Sequence, residues 1–314
     1  MKKLSWRLGY IWTALLGLLG ASQRLDGGTF LYFLLPGFLR PKFGDFYLTK
    51  RFFKHFPIGG VEKTESGFVV TCLDLSFEIP THGFEEGDFF DIIVPYIAEQ
   101  KRGTPLADGV TKYYANNFGQ FFDGPYMHDS HTLSPSAHVV DAGANLGIFS
   151  VVASKLVGPS GKVYAFEPIT EVAMLLRKNL ERNGCTNVVV TEAALGEKEG
   201  TITFSLNLGD AFEGSSRYFD RHGDSRDVDL LTLDSFVANT SATIDFIKAD
   251  IEGAEKDMLD GAKNVLTTMH PALAIRTYHF PDDPKDIEMR VQAVGDYSIF
   301  WFRKSTLYAY HAEN

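Results

Sequence analysis

Asp141-Ala142-Gly143-Ala144-Asn145-Leu146-Gly147 decides the reading of this chain. His138-Val139-Val140 leads into it as a short apolar strand, and residues 147–157 leave it as an apolar run at helical spacing. Gly143 permits a tight turn and lets backbone approach a ligand, because it lacks a side chain. Gly147 opens the helix, whose N-terminal amides favour an anionic group. Asp141 is placed to hold the loop and to accept from an ammonium.

The texture repeats downstream. Residues 162–167 form a second strand, ending in Glu167-Pro168. Thr170 is read as capping a helix with Val172, Leu175, Leu176 and Leu180 on one face, which stops at Gly184. Residues 187–190, 244–250 and 272–277 read as further strands, 254–266 as one helix, and 298–302 with 306–310 as a closing hairpin. Alternating strands and helices predict a doubly wound α/β sheet, mostly parallel, with ligands at the strands' carboxyl edge. Residues 201–206 and 227–233 read as an inserted hairpin around a mobile loop over 209–224.

Gly143, Asn145 and Ile148 occupy the i, i+2 and i+5 positions of a dinucleotide fingerprint. Two of those three glycines are missing, which disfavours a pyrophosphate and a nicotinamide-dependent oxidoreductase. A smaller headgroup carrying both a carboxylate and an ammonium fits, as in the methionine end of S-adenosyl-L-methionine. Glu167 lies 26 positions after Asp141, where an acid accepts from ribose hydroxyls. Ala193 and Ala194 are small enough for an adenine ring to lie against the chain, and Glu192 is expected to accept from its exocyclic amine.

The segments 141–147, Glu167-Pro168, Ala194-Leu195-Gly196 and the run Ile244-Asp-Phe-Ile-Lys248-Ala-Asp250-Ile-Glu252-Gly253-Ala-Glu255 together resemble the FkbM family of methyltransferases, over about residues 131–280. The resemblance implies a class I, Rossmann-like fold and an S-adenosyl-L-methionine-dependent enzyme acting on sugars, polysaccharides or natural products, usually at oxygen. By position it implies that Asp141, Gly143, Asn145, Gly147 and Glu167 bind the cofactor, and that Asp250 and Glu252 face the site. Strand five of the family often ends in an acid. This chain has Arg276 there, with His279 beyond it, and these two are the possible substitutes.

A hydroxyl acceptor must lose a proton, which calls for a general base. Asp250 is the first candidate, followed by Glu252 and His279. Asp250 could equally cap the helix after it. Glu255, one turn on, is expected to face solvent or pair with Lys256 or Lys248. No ligand-spaced cluster marks a metal site, although Asp250 could share a cation with Glu252 or the Asp282-Asp283 pair. N- or carboxyl-methyl transfer and a non-catalytic binding module are the alternatives.

With 45% hydrophobic and 22% charged residues among 314, a sizeable core is affordable and disorder is not the default. The formal net charge of −10 and the lack of a basic run argue against nucleic acid and leave a small-molecule or glycan acceptor. Cys72 and Cys185 match no metal spacing and read as reduced thiols. Three regions are expected: an apolar extension over 1–60, a β-rich cap over 61–130 with a short helix over 91–100, and the cofactor domain over 131–314. Lys2, Lys3 and Arg7 precede an apolar run over 8–19, and a second apolar stretch covers 30–39. Peripheral membrane contact through residues 1–40, a cleaved signal and a packed helical extension all fit this pattern. The expected location is cytoplasmic, with or without that membrane contact.

Overall fold

The computed structural model describes residues 47–80, 86–117, 124–127, 133–206, 224–303 and 305–311. The apolar runs within 1–40 and the loop expected over 209–224, up to residue 223, lie outside the described residues. No helix among those described is long and apolar enough to cross a membrane.

The chain begins with α1 (Tyr47–His55), then β1 (Gly59–Lys63), β2 (Gly67–Cys72), β3 (Leu75–Pro80), α2 (Glu86–Gln100) and α3 (Pro105–Asn117). The cofactor half follows as β4 (His138–Ala142), α4 (Ile148–Val157), β5 (Lys162–Phe166), α5 (Thr170–Arg182), β6 (Val188–Thr191), β7 (Ala194–Leu195), β8 (Gly200–Leu206) and β9 (Asp224–Leu231). It closes with α6 (Leu233–Thr240), β10 (Phe246–Ala249), α7 (Glu255–Asp260), α8 (Lys263–Met269), β11 (Ala272–Arg276), α9 (Asp283–Ala293), β12 (Tyr297–Phe302) and β13 (Thr306–His311).

The central sheet has seven strands in the order β12-β13-β11-β10-β4-β5-β6. β4, β5, β6, β10 and β11 run parallel, and β13 returns antiparallel between β11 and β12. Strands with helices over both faces must be apolar throughout. β10 accordingly reads Phe-Ile-Lys-Ala with all four residues buried, and the single charge in it, Lys248, needs a partner. The chain crosses from β4 to β5 on one side and to β10 on the other, so the order reverses beside β4. That switch point opens a cleft at the carboxyl edge.

The amino-terminal strands form a separate antiparallel sheet, β1-β2-β3. Its edge is closed by two side-chain amides from α5. Asn183 Oδ1 accepts from the Ser76 amide at 2.9 Å and its Nδ2 donates to Ser76 O at 2.7 Å. Asn179 does the same with Glu78, at 2.7 and 3.0 Å, and also donates to Leu146 O at 2.9 Å. An asparagine amide offers a donor and an acceptor side by side, and so stands in for a neighbouring strand. α2 packs on α4, and one hydrophobic core runs from Leu48 through Phe90 to Val152 and Tyr308.

Several local expectations change in three dimensions. In the segment expected to be β-rich the short helix expected over 91–100 is the longer α2, whose Phe89, Phe90, Ile93 and Ile97 are buried in the core, and α3 is added to the three strands. Leu73 takes a left-handed φ of 53° and breaks the 67–75 run into a hairpin. The helix expected over 254–266 is two helices, broken at Gly261, whose added Cβ would lie 1.9 Å from Gly196 O. Thr170 is the first helical residue rather than a side-chain cap, since Ile169 precedes it in extended form. α1, α3, α6 and α9 were not expected.

Candidate active site

The turn after β4 is built from left-handed residues: Gly143 at φ 73°, Asn145 at 49° and Gly147 at 85°. The first two backbone amides after β4's end, Gly143 and Ala144, both donate to Phe166 O, at 3.1 and 3.0 Å. A side chain at Gly143 is excluded twice over. Its φ is unfavourable for an L residue, and a Cβ would sit 2.0 Å from Asp250 O. Gly147 caps α4 and meets Leu176, with 2.3 Å left for a Cβ.

Glu167 crosses from the end of β5 to clamp the turn. Its Oε2 accepts from the Asn145 amide and its Oε1 from the Ile169 amide, both at 3.0 Å. The side chain is buried, and burial pushes the carboxyl up to about 7 against the pull of those two amides. Each oxygen keeps a further lone pair for a hydroxyl donor.

A cleft of about 1210 Å³, counting its open mouth, runs along these elements. Gly143, Asn145, Glu167, Ala193, Asp250 and Glu252 are on its walls, with Tyr126 and Tyr278 beside them. Of the expected cofactor residues, Gly143, Asn145, Glu167 and Ala193 therefore meet in one place. Gly147 stands behind the wall as the helix cap.

Two expectations are corrected. Asp141 does not reach the cleft. It has no exposed surface, accepts from Ser150 Oγ at 2.6 Å and lies 3.0 Å from Lys248 Nζ. It cannot take an ammonium from a ligand, because β4 turns it under the loop rather than along it. Glu192 also points away. It pairs with Arg177 on the surface at 2.6 Å, because β6 ends with the side chain towards α5. Ala193 takes the wall position instead.

On the other side of the cleft, β10 delivers Asp250. Tyr126 donates to its Oδ2, and Arg276 Nε lies 3.5 Å away. Burial raises the Asp250 carboxyl, but Arg276, His279 and Lys248 together with the Tyr126 bond hold it below its ordinary value. His279 is buried just behind, outside the cleft wall. Its Nε2 lies 3.6 Å from Asp250 Oδ1 and 3.8 Å from Glu252 Oε2, and its Nδ1 lies 3.3 Å from Glu255 Oε1. Burial opposes the imidazolium, yet Glu255, Asp250 and Glu252 outweigh it and push His279 up to about 9.

The expectation for Glu255 is also corrected. It is 1% exposed and accepts from the Ile251 amide at 2.8 Å, because the left-handed turn at Glu252 and Gly253 folds α7 back under Asp250. Lys256 instead pairs with Asp283 at 2.8 Å, which takes Asp283 away from any shared cation with Asp250. Arg276 donates to Gly124 O, Thr306 Oγ1 and Asp91 at 2.9, 2.6 and 3.1 Å, so it is a buried anchor and not a substitute acid. Sequence reasoning missed Tyr126 and Glu255, since neither lies in a strand–turn signal. Lys248, a cation within an apolar strand, was the one legible hint of a buried partner.

A seven-stranded sheet of this order, with a glycine turn after its first parallel strand and an acid after the second, defines the class I S-adenosylmethionine-dependent methyltransferases. Residues 141–297 match the Methyltransferase FkbM domain, and the chain belongs to that family. It is 38% identical over 110 residues to the AMB antimetabolite synthetase AmbE of Pseudomonas aeruginosa, covering 34% of this chain and 5% of that protein. It is 25% identical over 200 residues to methyltransferase sdnD of Sordaria araneosa, covering 54% and 75%. A solved FkbM methyltransferase from Methylobacillus flagellatus KT aligns at a TM-score of 0.47 and 20% identity, covering 73% of this chain and 61% of its own. The chain thus spans only a small part of the Pseudomonas relative.

Proposed function

We propose that this chain transfers a methyl group from S-adenosylmethionine to a hydroxyl of a sugar, whether on a glycan, a lipid-linked saccharide or a natural product. The residues fit the donor. The Gly143 backbone leaves room that a Cβ would fill, and the buried Glu167 carboxylate keeps lone pairs for ribose hydroxyls. Ala193 presents a small side chain to an adenine ring. Bound there, S-adenosylmethionine supplies a methyl on a positive sulfur that is already activated for displacement.

The chain's own work is then positioning and proton handling. Asp250 carries the reading: an ionised carboxylate at the cleft wall, within the same pocket as the turn. It accepts the hydrogen bond of an incoming hydroxyl and aims the oxygen lone pair. Its low pKa keeps it ionised, able to orient the hydroxyl but a weak proton sink. His279, held as an imidazolium, has no lone pair to take the proton. Glu252, about a third exposed at the mouth, relays it to water.

Isothermal titration with S-adenosylmethionine, followed by detection of S-adenosylhomocysteine with sugar acceptors, tests this reading. Saturable binding and acceptor-dependent turnover support it. Turnover only with amine or carboxylate acceptors would replace it with the corresponding transfer.

A further inference from the structure

Three buried polar atoms beside the cleft make no hydrogen bond: Glu255 Oε2 and both ring nitrogens of His279. The His279 side chain is 4% exposed and that of Glu255 1%. Buried polar atoms without partners are rare and each calls for an explanation. Leaving them so costs on the order of a hydrogen bond apiece or more.

Their spacing supplies one. The imidazole stands between the carboxylates: its Nδ1 is 3.3 Å from Glu255 Oε1, and its Nε2, on the other side of the ring, is 3.6 Å from Asp250 Oδ1 and 3.8 Å from Glu252 Oε2, all out of hydrogen-bond alignment or range. One donor atom each from Asp250, Glu255 and His279 lies within 4.8 Å of the others. Ligand atoms about 2.1 Å from a common ion sit roughly 3.0 to 3.4 Å apart, so an ion would draw one ring nitrogen and the two carboxylates together by up to roughly 1.4 to 1.8 Å to complete a coordination face.

The geometry points to a divalent-cation site made by Asp250, Glu255 and His279. Two carboxylates and one imidazole suit Mn²⁺ or Zn²⁺ and leave coordination positions open; the ion takes the place of the imidazolium's proton, which is released to solvent. The Ile251 amide already fixes Glu255 Oε1, so its Oε2 is oriented before an ion arrives. Of the three ligands Asp250 lines the cleft, which brings the ion to its wall, where an acceptor oxygen could complete its shell. The ion would lower the acceptor hydroxyl's pKa, which the weakly basic Asp250 does poorly. That role rests on the methyl-transfer reading; the cation itself does not.

Mn²⁺ alone, titrated into the chelator-treated full chain and followed by the electron paramagnetic resonance of free Mn²⁺, is the test. One ion bound per chain is expected, weakened at least ~10-fold in Glu255→Gln and in His279→Gln. Wild-type chain that leaves millimolar Mn²⁺ free, or binding unchanged in both variants, overturns the site. Should Glu255→Gln unfold, His279→Gln, checked for folding by circular dichroism, decides alone. S-adenosylmethionine titrated into the same metal-free sample reports separately on the cofactor pocket. Its binding without Mn²⁺ uptake would sink the cation and spare the proposed function.

Discussion

Lys248 stands directly across from Asp141 in the parallel β10–β4 register, with Nζ 3.0 Å from Oδ1. Both are buried, and Lys248 also donates to Ala142 O and Gly143 O, at 3.1 and 2.6 Å. The pair therefore nails the glycine turn to the sheet from below. Removing one member of a buried pair leaves the other charge uncompensated, at a cost of about 3–5 kcal/mol. Lys248→Met is expected to lower unfolding free energy by that order in urea titrations. A loss below about 1 kcal/mol would mean the turn is held by other contacts.

Gly143→Val puts a branched side chain where the Asp250 carbonyl already lies. Cofactor affinity should vanish in calorimetry. A variant that folds, by circular dichroism, and binds as well as wild type would place the cofactor elsewhere.

Glu167 ties affinity to pH. Its folded pKa, about 7, lies above the ordinary 4.5. Its contribution to the stability of the empty fold is therefore present below about 4.5 and lost as pH rises through about 7. Ribose hydroxyls need the ionised form, so S-adenosylmethionine affinity should rise as pH climbs from 6 towards 8, by up to ~10-fold per unit below the pKa. Glu167→Gln should flatten that profile and weaken binding by ~1–3 kcal/mol. A wild-type profile as flat as the variant's would remove Glu167 from the ribose site.

Asp250→Asn should keep cofactor affinity within a few-fold and reduce turnover roughly 10- to 10²-fold, as for loss of a charged hydrogen bond that orients the hydroxyl. Retained turnover would reduce Asp250 to an element of the fold.

Arg276 joins Asp91 on α2 to Asp250 after β10. Arg276→Leu should destabilise the chain by about 3–5 kcal/mol, because two buried carboxylates lose their common cation. Thermal unfolding at neutral pH checks it, and an unchanged midpoint would contradict the network.

Much of the cofactor side was legible because local rules and global fold agree there. Residues 138–147 must be strand, turn and helix start, since an apolar run, two glycines and a helical period leave no alternative. Glu167 follows at the next strand's end by the same logic. The acceptor side was legible only in part. Asp250 and Glu252 lie in one motif, but their partners Tyr126, Arg276 and His279 come from distant stretches.

The linear chain by itself determined the alternation of strands and helices, the glycine turn and the acid beyond β5, because each is an interaction between residues a few positions apart. Only the tertiary structure decided that Asp141 faces Lys248 rather than the cleft, that Glu192 faces Arg177, and that Glu255 turns inward beneath His279. Which way a carboxylate points at a strand's end depends on the neighbouring strand and helix that solvate or exclude it. That choice is made by packing and desolvation over the whole domain, and no local periodicity encodes it.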